Sequence, residues 1–281
     1  MLRSRYVGRL VRMPFRFWFA LSYYRTRLWF LLLWVLRSRE GSNLTYDLTE
    51  ENLDYLAHTV AIVTRTPYRV ARQYIDEARS DHALHQHVLR KTQSSPGRYQ
   101  ADDRCCFGRR LGWYAFVRVL KPRVVIETGV DKGHGAVLLC AALLRNQTEG
   151  HAGRYFGTDI NPAAGWLLDE PYSQVGRILY GDSIRSLQAF EGEIDLFIND
   201  SDHSADYEYK EYKVVAPKLS ARAVVLGDNA HVTDKLARFS REAGRDFLFF
   251  REAPKEHWYP GAGIGISYHA AVGDPRHGGP G

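Results

Sequence analysis

Residues 124–135, Val-Val-Ile-Glu-Thr-Gly-Val-Asp-Lys-Gly-His-Gly, run from a short β-branched segment into a glycine-rich loop. Val, Ile and Thr favour a pleated, buried strand, and the glycines that follow permit positive φ and close backbone approach. A helix opening near Gly133 would present unpaired N–H groups towards whatever sits over the loop. The spacing Glu127-x-Gly129-x-x-x-Gly133 is not the dinucleotide pattern GxGxxG, which counts against a nicotinamide-dependent oxidoreductase.

Downstream the same alternation repeats. Strands are expected at Arg123–Thr128, Arg154–Thr158, Arg177–Tyr180, Ile194–Asn199 and Ala223–Leu226, with helical segments starting near Gly133, Pro162, Ser183, Ala205 and Thr233. Asp246–Arg251 and Gly263–Tyr268 read as a closing hairpin. The fold class is therefore α/β, a mostly parallel Rossmann-like sheet with a ligand crevice at the carboxyl ends of its strands. Each strand end carries an acid: Glu127, Asp159, Asp182 followed by Ser183, Asp200 within Asn199-Asp-Ser-Asp-His203, and Asp228 followed by Asn229. Any one of these aspartates, taken alone, reads equally well as a helix cap or a turn. Several in register mark a site.

In this arrangement the chain resembles the class I S-adenosylmethionine (SAM) dependent methyltransferases, over roughly Phe107 to His269. The resemblance implies that Glu127, Gly129 and Gly133 form the first SAM motif, that Asp159 accepts from the ribose hydroxyls, and that Asp182 and Ser183 read the adenine. The last strand ends resemble the metal-dependent O-methyltransferases of the catechol and macrolide-sugar type. That likeness implies Mg²⁺ held by Asp200, Asp228 and Asn229, with His203 as the general base; Asp202 is an alternative ligand if the frame shifts. A hard octahedral cation suits such oxygen donors. The reaction implied is methylation of a hydroxyl on a small molecule, a saccharide or glycosylated natural product first, with phenolic and lipid-linked acceptors as alternatives. His257, Trp258 and Tyr259 are placed either to stack on an acceptor ring or to pack the hairpin.

The 281 residues divide into an arm (1–40), a helical lead-in or lid (41–114), the SAM-binding domain (115–270) and a Gly/Pro-rich tail (271–281). Thr49 is a candidate cap for a helix carrying Leu53, Leu56, Val60 and Val63, and Pro67 a candidate start for another. Net charge is +6, but residues 1–39 hold nine arginines and no acid, and the other 29 basic residues face 32 acidic ones. The body is thus mildly acidic, which disfavours nucleic acid as a partner. Cys105, Cys106 and Cys140 form no CxxC pair, so a disulfide framework and a structural zinc are disfavoured and a cytoplasmic, reducing compartment is expected.

Arg5, Arg9, Arg12 and Arg16 fall on one face of a helix, with a break or bend expected at Pro14. Aromatic residues then crowd around the apolar run Leu28–Leu36. A spanning helix needs about 20 apolar residues, and Arg25 and Arg27 would lie near its centre. An in-plane helix on an anionic membrane surface, peripheral to the bilayer, is expected instead. The alternative is packing on the body or on a second subunit in a homo-oligomer.

Overall fold

A computed structural model describes residues 9, 11–41, 44–202 and 204–269. The helices are α1 (Met13–Arg37), α2 (Glu50–Thr64), α3 (Tyr68–Arg79), α4 (His82–Ser94), α5 (Arg110–Leu120), α6 (His134–Thr148), α7 (Ser183–Ala189), α8 (Ala205–Val215) and α9 (Lys235–Glu242). The strands are β1 (Val124–Thr128), β2 (Arg154–Asp159), β3 (Gly176–Tyr180), β4 (Ile194–Asn199), β5 (Leu219–Gly227), β6 (Asp246–Arg251) and β7 (Gly263–Tyr268).

Seven strands form one sheet in the order β3-β2-β1-β4-β5-β7-β6. β1 pairs in parallel with both β2 and β4, so the strand order reverses between β1 and β4. That reversal opens a crevice above the carboxyl ends. β7 inserts antiparallel between β5 and β6, as the hairpin reading expected.

The strands are apolar on both faces because helices cover both. Side chains alternate accordingly. Val125, Leu196, Ile198, Val224 and Leu226 pack on one face with α2, α5 and α6, while Ile126, Phe197 and Val225 pack on the other with Tyr212, Val215, Leu236 and Phe239.

One expectation is corrected. No helix starts near Pro162; the segment is a series of turns. Gly165 has φ +74, and the amides of Gly165 and Leu167 donate to the carbonyls of Asp131 (2.6 Å) and Lys132 (3.0 Å). The backbone donors that would build a helix are spent on tethering the glycine loop. The break expected at Pro14 is present: Val11 is helical, Arg12 is a turn residue and α1 starts at Met13, with the proline in its first turn, where it costs no hydrogen bond. Arg5 lies outside the described residues.

The lead-in follows its sequence signals. Thr49 caps α2, accepting from the Asn52 amide at 3.3 Å, and Leu53, Leu56, Val60 and Val63 are buried. Pro67 precedes α3. α4 was not anticipated; Asp81 caps it, accepting from the Leu84 amide at 3.0 Å. These helices share the core of the sheet, and Tyr114, the expected domain boundary, sits inside α5. α1 is different, with no buried residue along its length. Its end meets the body where Trp34 packs on Trp258, ring centroids 5.3 Å apart, and donates to Glu40 at 3.3 Å. No helix among the described residues is long and apolar enough to cross a membrane.

Leu56 is fully buried and lies against Gly112 of α5. Leu56→Ala should cost about 2–5 kcal/mol of unfolding free energy in a urea titration. A loss below about 1 kcal/mol would make the lead-in a separable lid rather than part of the core.

Candidate functional site

The crevice sits where the loops after β1 and β4 meet. Gly129 has φ +80, and a Cβ there would collide with the Asp200 carbonyl, so only glycine lets the two loops touch. Gly133, φ +100, caps α6, and Gly135 lies against the Glu127 carboxylate with no room for a side chain. The resulting cavity, about 300 Å³, is lined by this loop and by Arg109, Arg110, Asp200, Tyr46 and Tyr259. His134 also faces it; burial and then the charges of Arg110 and Lys132 hold its imidazole down to about 3, so the ring is neutral.

Glu127 lines this cavity but is 1% exposed and accepts from the Tyr155 hydroxyl at 2.5 Å. Burial pushes its carboxyl up to about 7. Asp159 accepts from the amides of Asp131 (2.9 Å) and Asn161 (2.8 Å), which ties the end of β2 to the glycine loop. Asp182 caps α7, accepting from the Arg185 amide at 2.8 Å and from the Tyr207 hydroxyl at 2.9 Å. Ser183 donates to Glu211. Asp159, Asp182 and Ser183 stand at the ends of β2 and β3, beyond the walls of that cavity.

Asp200 and Asp228 do come together, as the ends of the adjacent parallel strands β4 and β5 require. They are not alone. Arg109 donates from Nε and Nη2 to the two oxygens of Asp228, both at 2.5 Å, and from Nη1 to Glu252 and the Tyr46 hydroxyl, both at 3.2 Å. Arg110 reaches Asp200 at 3.4 Å. Burial drives both carboxyls upward; in Asp228 the Arg109 guanidinium outweighs it and holds the group ionised, while Asp200, facing Asp228, is left raised.

A Mg²⁺ cage needs open carboxylate oxygens at about 2.0–2.1 Å in octahedral array. Asp228 has both oxygens committed to a guanidinium, so the expected set Asp200, Asp228 and Asn229 does not fit such an ion as arranged. Among the described residues no three His, Cys, Asp or Glu side chains gather as metal ligands. Asp202 accepts from the Ser204 amide at 2.7 Å, a turn contact. His203 lies outside the described residues.

Sequence reasoning missed four side chains that organise the site. Arg109, Tyr46 and Glu252 form the buried ion cluster, and Glu211 lies beneath the crevice, accepting from Thr128 (3.0 Å), Ser201 (2.8 Å), Ser183 and Asn199. The one available signal was the pair Arg109-Arg110 leading a mostly apolar helix. Nothing local marked Tyr46, Glu211 or Glu252. Of the aromatic trio, Tyr259 lines the crevice, Trp258 packs on Trp34, and His257 is buried beside Tyr46.

Glu127 supplies a pH test. Its folded value of about 7 exceeds the ordinary 4.5, so the folded state holds this proton more tightly. Its contribution to stability is full below the ordinary value and is lost as pH rises to about 7. The loss is on the order of 3 kcal/mol. Glu127→Gln, whose amide oxygen still accepts from Tyr155, should flatten that slope in urea unfolding at pH 4.5 and 7.5. An unchanged slope would assign the pH dependence to other groups.

Residues 126–230 match the family model described as a methyltransferase domain. No curated protein matches the chain. Similar solved structures include a methyltransferase from Geobacter sulfurreducens (16% identity, TM-score 0.49, 66% of this chain and 90% of that one). A SAH-bound methyltransferase of Podospora anserina matches at 18% identity and TM-score 0.46, over 82% of this chain and 100% of that one. An O-methyltransferase from Streptomyces achromogenes involved in tomaymycin synthesis, in complex with SAM, matches at 15% and 0.47, over 68% and 91%. The family match falls on β1 to just past the end of β5, the part of the sheet whose strand ends border the crevice.

Proposed function

We propose that the protein is an O-methyltransferase acting on a hydroxyl of a saccharide or glycosylated natural product. The observation that carries this reading is the close approach of the glycine loop to Asp200, which sets a cofactor loop and an acid-bearing acceptor edge around one crevice. SAM supplies a sulfonium methyl when bound. Gly129 and Gly133 let the loop backbone approach its methionine end at the start of α6, Asp159 accepts from the ribose, and Asp182 with Ser183 borders the adenine. His203 takes the proton from the acceptor hydroxyl, and Tyr259 offers a face on which a sugar ring can lie. Holding the two reactants in line supplies much of the acceleration. Phenolic acceptors belong in the same screen.

One observation favours a lipid-linked acceptor as a second reading: α1 ends on Trp258, next to the crevice residue Tyr259. α1 exposes Phe17, Leu21, Tyr24, Leu28, Leu32 and Val35. Those six fall on one face, with Arg12 and Arg37 opposite, Arg16 and Arg27 on one flank and Arg25 at the other edge of the apolar face. Such a helix lies on an anionic surface with its apolar face inserted and its guanidinium groups among headgroups.

Two measurements check these assignments. In calorimetry Asp159→Ala should weaken SAM about 10- to 150-fold, the loss of a hydrogen bond to a charged group. His203→Ala should keep SAM affinity within about twofold while turnover falls about 10²–10⁴-fold. Unchanged SAM affinity in a folded Asp159 variant, or wild-type turnover without His203, removes that residue from the site.

For the arm, the full chain should sediment with phosphatidylserine-containing vesicles and release partly in high salt, and removal of residues 1–39 should abolish binding. Indifference to vesicles, with dimer loss on truncation, would make the arm a subunit contact instead.

A further inference from the structure

The acid-rich edge of the crevice already contains a cation, and it is covalently part of the chain. Arg109 is only 12% exposed, and Asp228 and Glu252, which it bridges, are 6% and 0% exposed at the side chain. Asp228 belongs to the end of β5, Glu252 to the residue after β6, Tyr46 to the lead-in and Arg109 to the residue before α5, so four separate parts of the chain converge on one guanidinium. Glu252 also accepts from the Ala262 amide at 2.6 Å, which fixes it on the hairpin side. Arg110 follows directly, 3.4 Å from Asp200, with its guanidinium over the Trp113 ring at 5.2 Å. Both arginines line the crevice.

A divalent ion at Asp228 would have to expel this guanidinium. It would then leave Arg109 buried with one carboxylate instead of two and without its bidentate pair, an arrangement that buried ion pairs strongly resist. It would also stand beside the full charge of Arg110. Arginine cannot relieve the conflict by losing its proton, since its pKa lies above about 12. The guanidinium offers what a metal would offer: a permanent positive charge, fixed against the carboxylates at the crevice.

Resting on the O-methyltransferase reading above, we propose that Arg109 and Arg110 replace a divalent metal in this site, and that methyl transfer here is metal-independent. Arg109 is the positioning residue, holding Asp228 and the β6–β7 hairpin against the crevice, and Arg110 is the donor facing the acceptor oxygen. The proton leaves the acceptor hydroxyl for a base of the protein, the oxygen–carbon bond forms as the carbon–sulfur bond breaks, and the electron pair stays on sulfur as a neutral thioether. No other co-reactant is required. The positive charge of the sulfonium is matched by the negative charge of the deprotonated acceptor, and the arginines offset the latter while it exists.

The test is a Mn²⁺ titration of the full-length, chelator-treated protein, read by electron paramagnetic resonance of free Mn²⁺. No stoichiometric site is expected below about 1 mM, where a competent metal enzyme of this donor type would fill one. SAM affinity should be the same within about twofold with and without chelator. A 1:1 Mn²⁺ site in the wild type that Asp228→Asn removes would overturn the proposal. Arg109→Met uncovers the carboxylates and should bind Mn²⁺ at least about tenfold more tightly than wild type; equal binding by a folded variant would also overturn it. Should that variant not fold, Arg109→Lys keeps a charge in place and should exclude Mn²⁺ as the wild type does; a new site in it would count against the proposal. The titration reads the cation site whether or not an acceptor is found, so a failed acceptor screen would count against the O-methylation reading alone.

Discussion

A single guanidinium buried among two carboxylates and a phenol holds this molecule's working edge together. Arg109 joins Asp228, Glu252 and Tyr46, and none of these contacts spans fewer than 63 residues of sequence. Removing either partner would leave a buried charge uncompensated, which is far costlier than the pair is stabilising. The Tyr46 phenol is accordingly pushed upward, by burial first and then by Glu252 against the opposing pull of Arg109, so it stays a neutral donor to Glu252 at 2.8 Å. The cluster's worth therefore lies in geometry. It sets the lead-in, the start of α5, the end of β5 and the end of β6 in one register.

A second buried group does the same work one strand away. Glu211 on α8 accepts from Thr128 at the end of β1, from Asn199 at the end of β4, from Ser201 in the loop beyond and from Ser183 at the start of α7. Burial raises its carboxyl to about 6 against the pull of these donors. The strand ends at the reversal of the sheet are thus pinned from below by Glu211 and from above by the Gly129–Asp200 contact. A crevice between such fixed walls needs little reorganisation to hold two reactants in line, the condition under which proximity contributes most to a rate.

What could be read from sequence follows from range. Strand positions, the inserted hairpin and the cap at Thr49 rest on local periodicity and short side chain–backbone bonds, and they are where the residues placed them. The Pro162 segment failed because its amides bond Asp131 and Lys132, contacts that a local reading of 160–168 cannot contain. The acids at the strand ends were legible as a set, and β4–β5 pairing alone brings Asp200 to Asp228. Their ionic partners were not, since Arg109 lies 119 residues from Asp228 and Glu252 is 206 residues from Tyr46. A motif records which groups stand at an edge. It does not record what the rest of the chain sends to meet them.

The same distinction separates the cofactor side of the crevice from the acceptor side. The glycine-loop side, where we propose the cofactor lies, is built from β1, β2 and the loops between them, a contiguous segment in which Gly129 must be glycine because backbone meets backbone there. The other side, where we propose the acceptor lies, is assembled from Tyr46, Arg109, Arg110 and Tyr259, which come from the lead-in and the hairpin loop. Those two parts are stitched directly to one another: the Thr49 amide donates to the Ala253 carbonyl at 3.1 Å, and the Lys255 amide to Asp47 at 2.7 Å. The lead-in helices and the hairpin therefore form a single wall, to which α1 is joined through Trp34 and Trp258. Any force on the arm, from a surface or from a second subunit, reaches the acceptor wall before it reaches the cofactor loop. On the proposed reading, acceptor selection is the property that such a construction leaves free to vary while the glycine-loop side stays fixed.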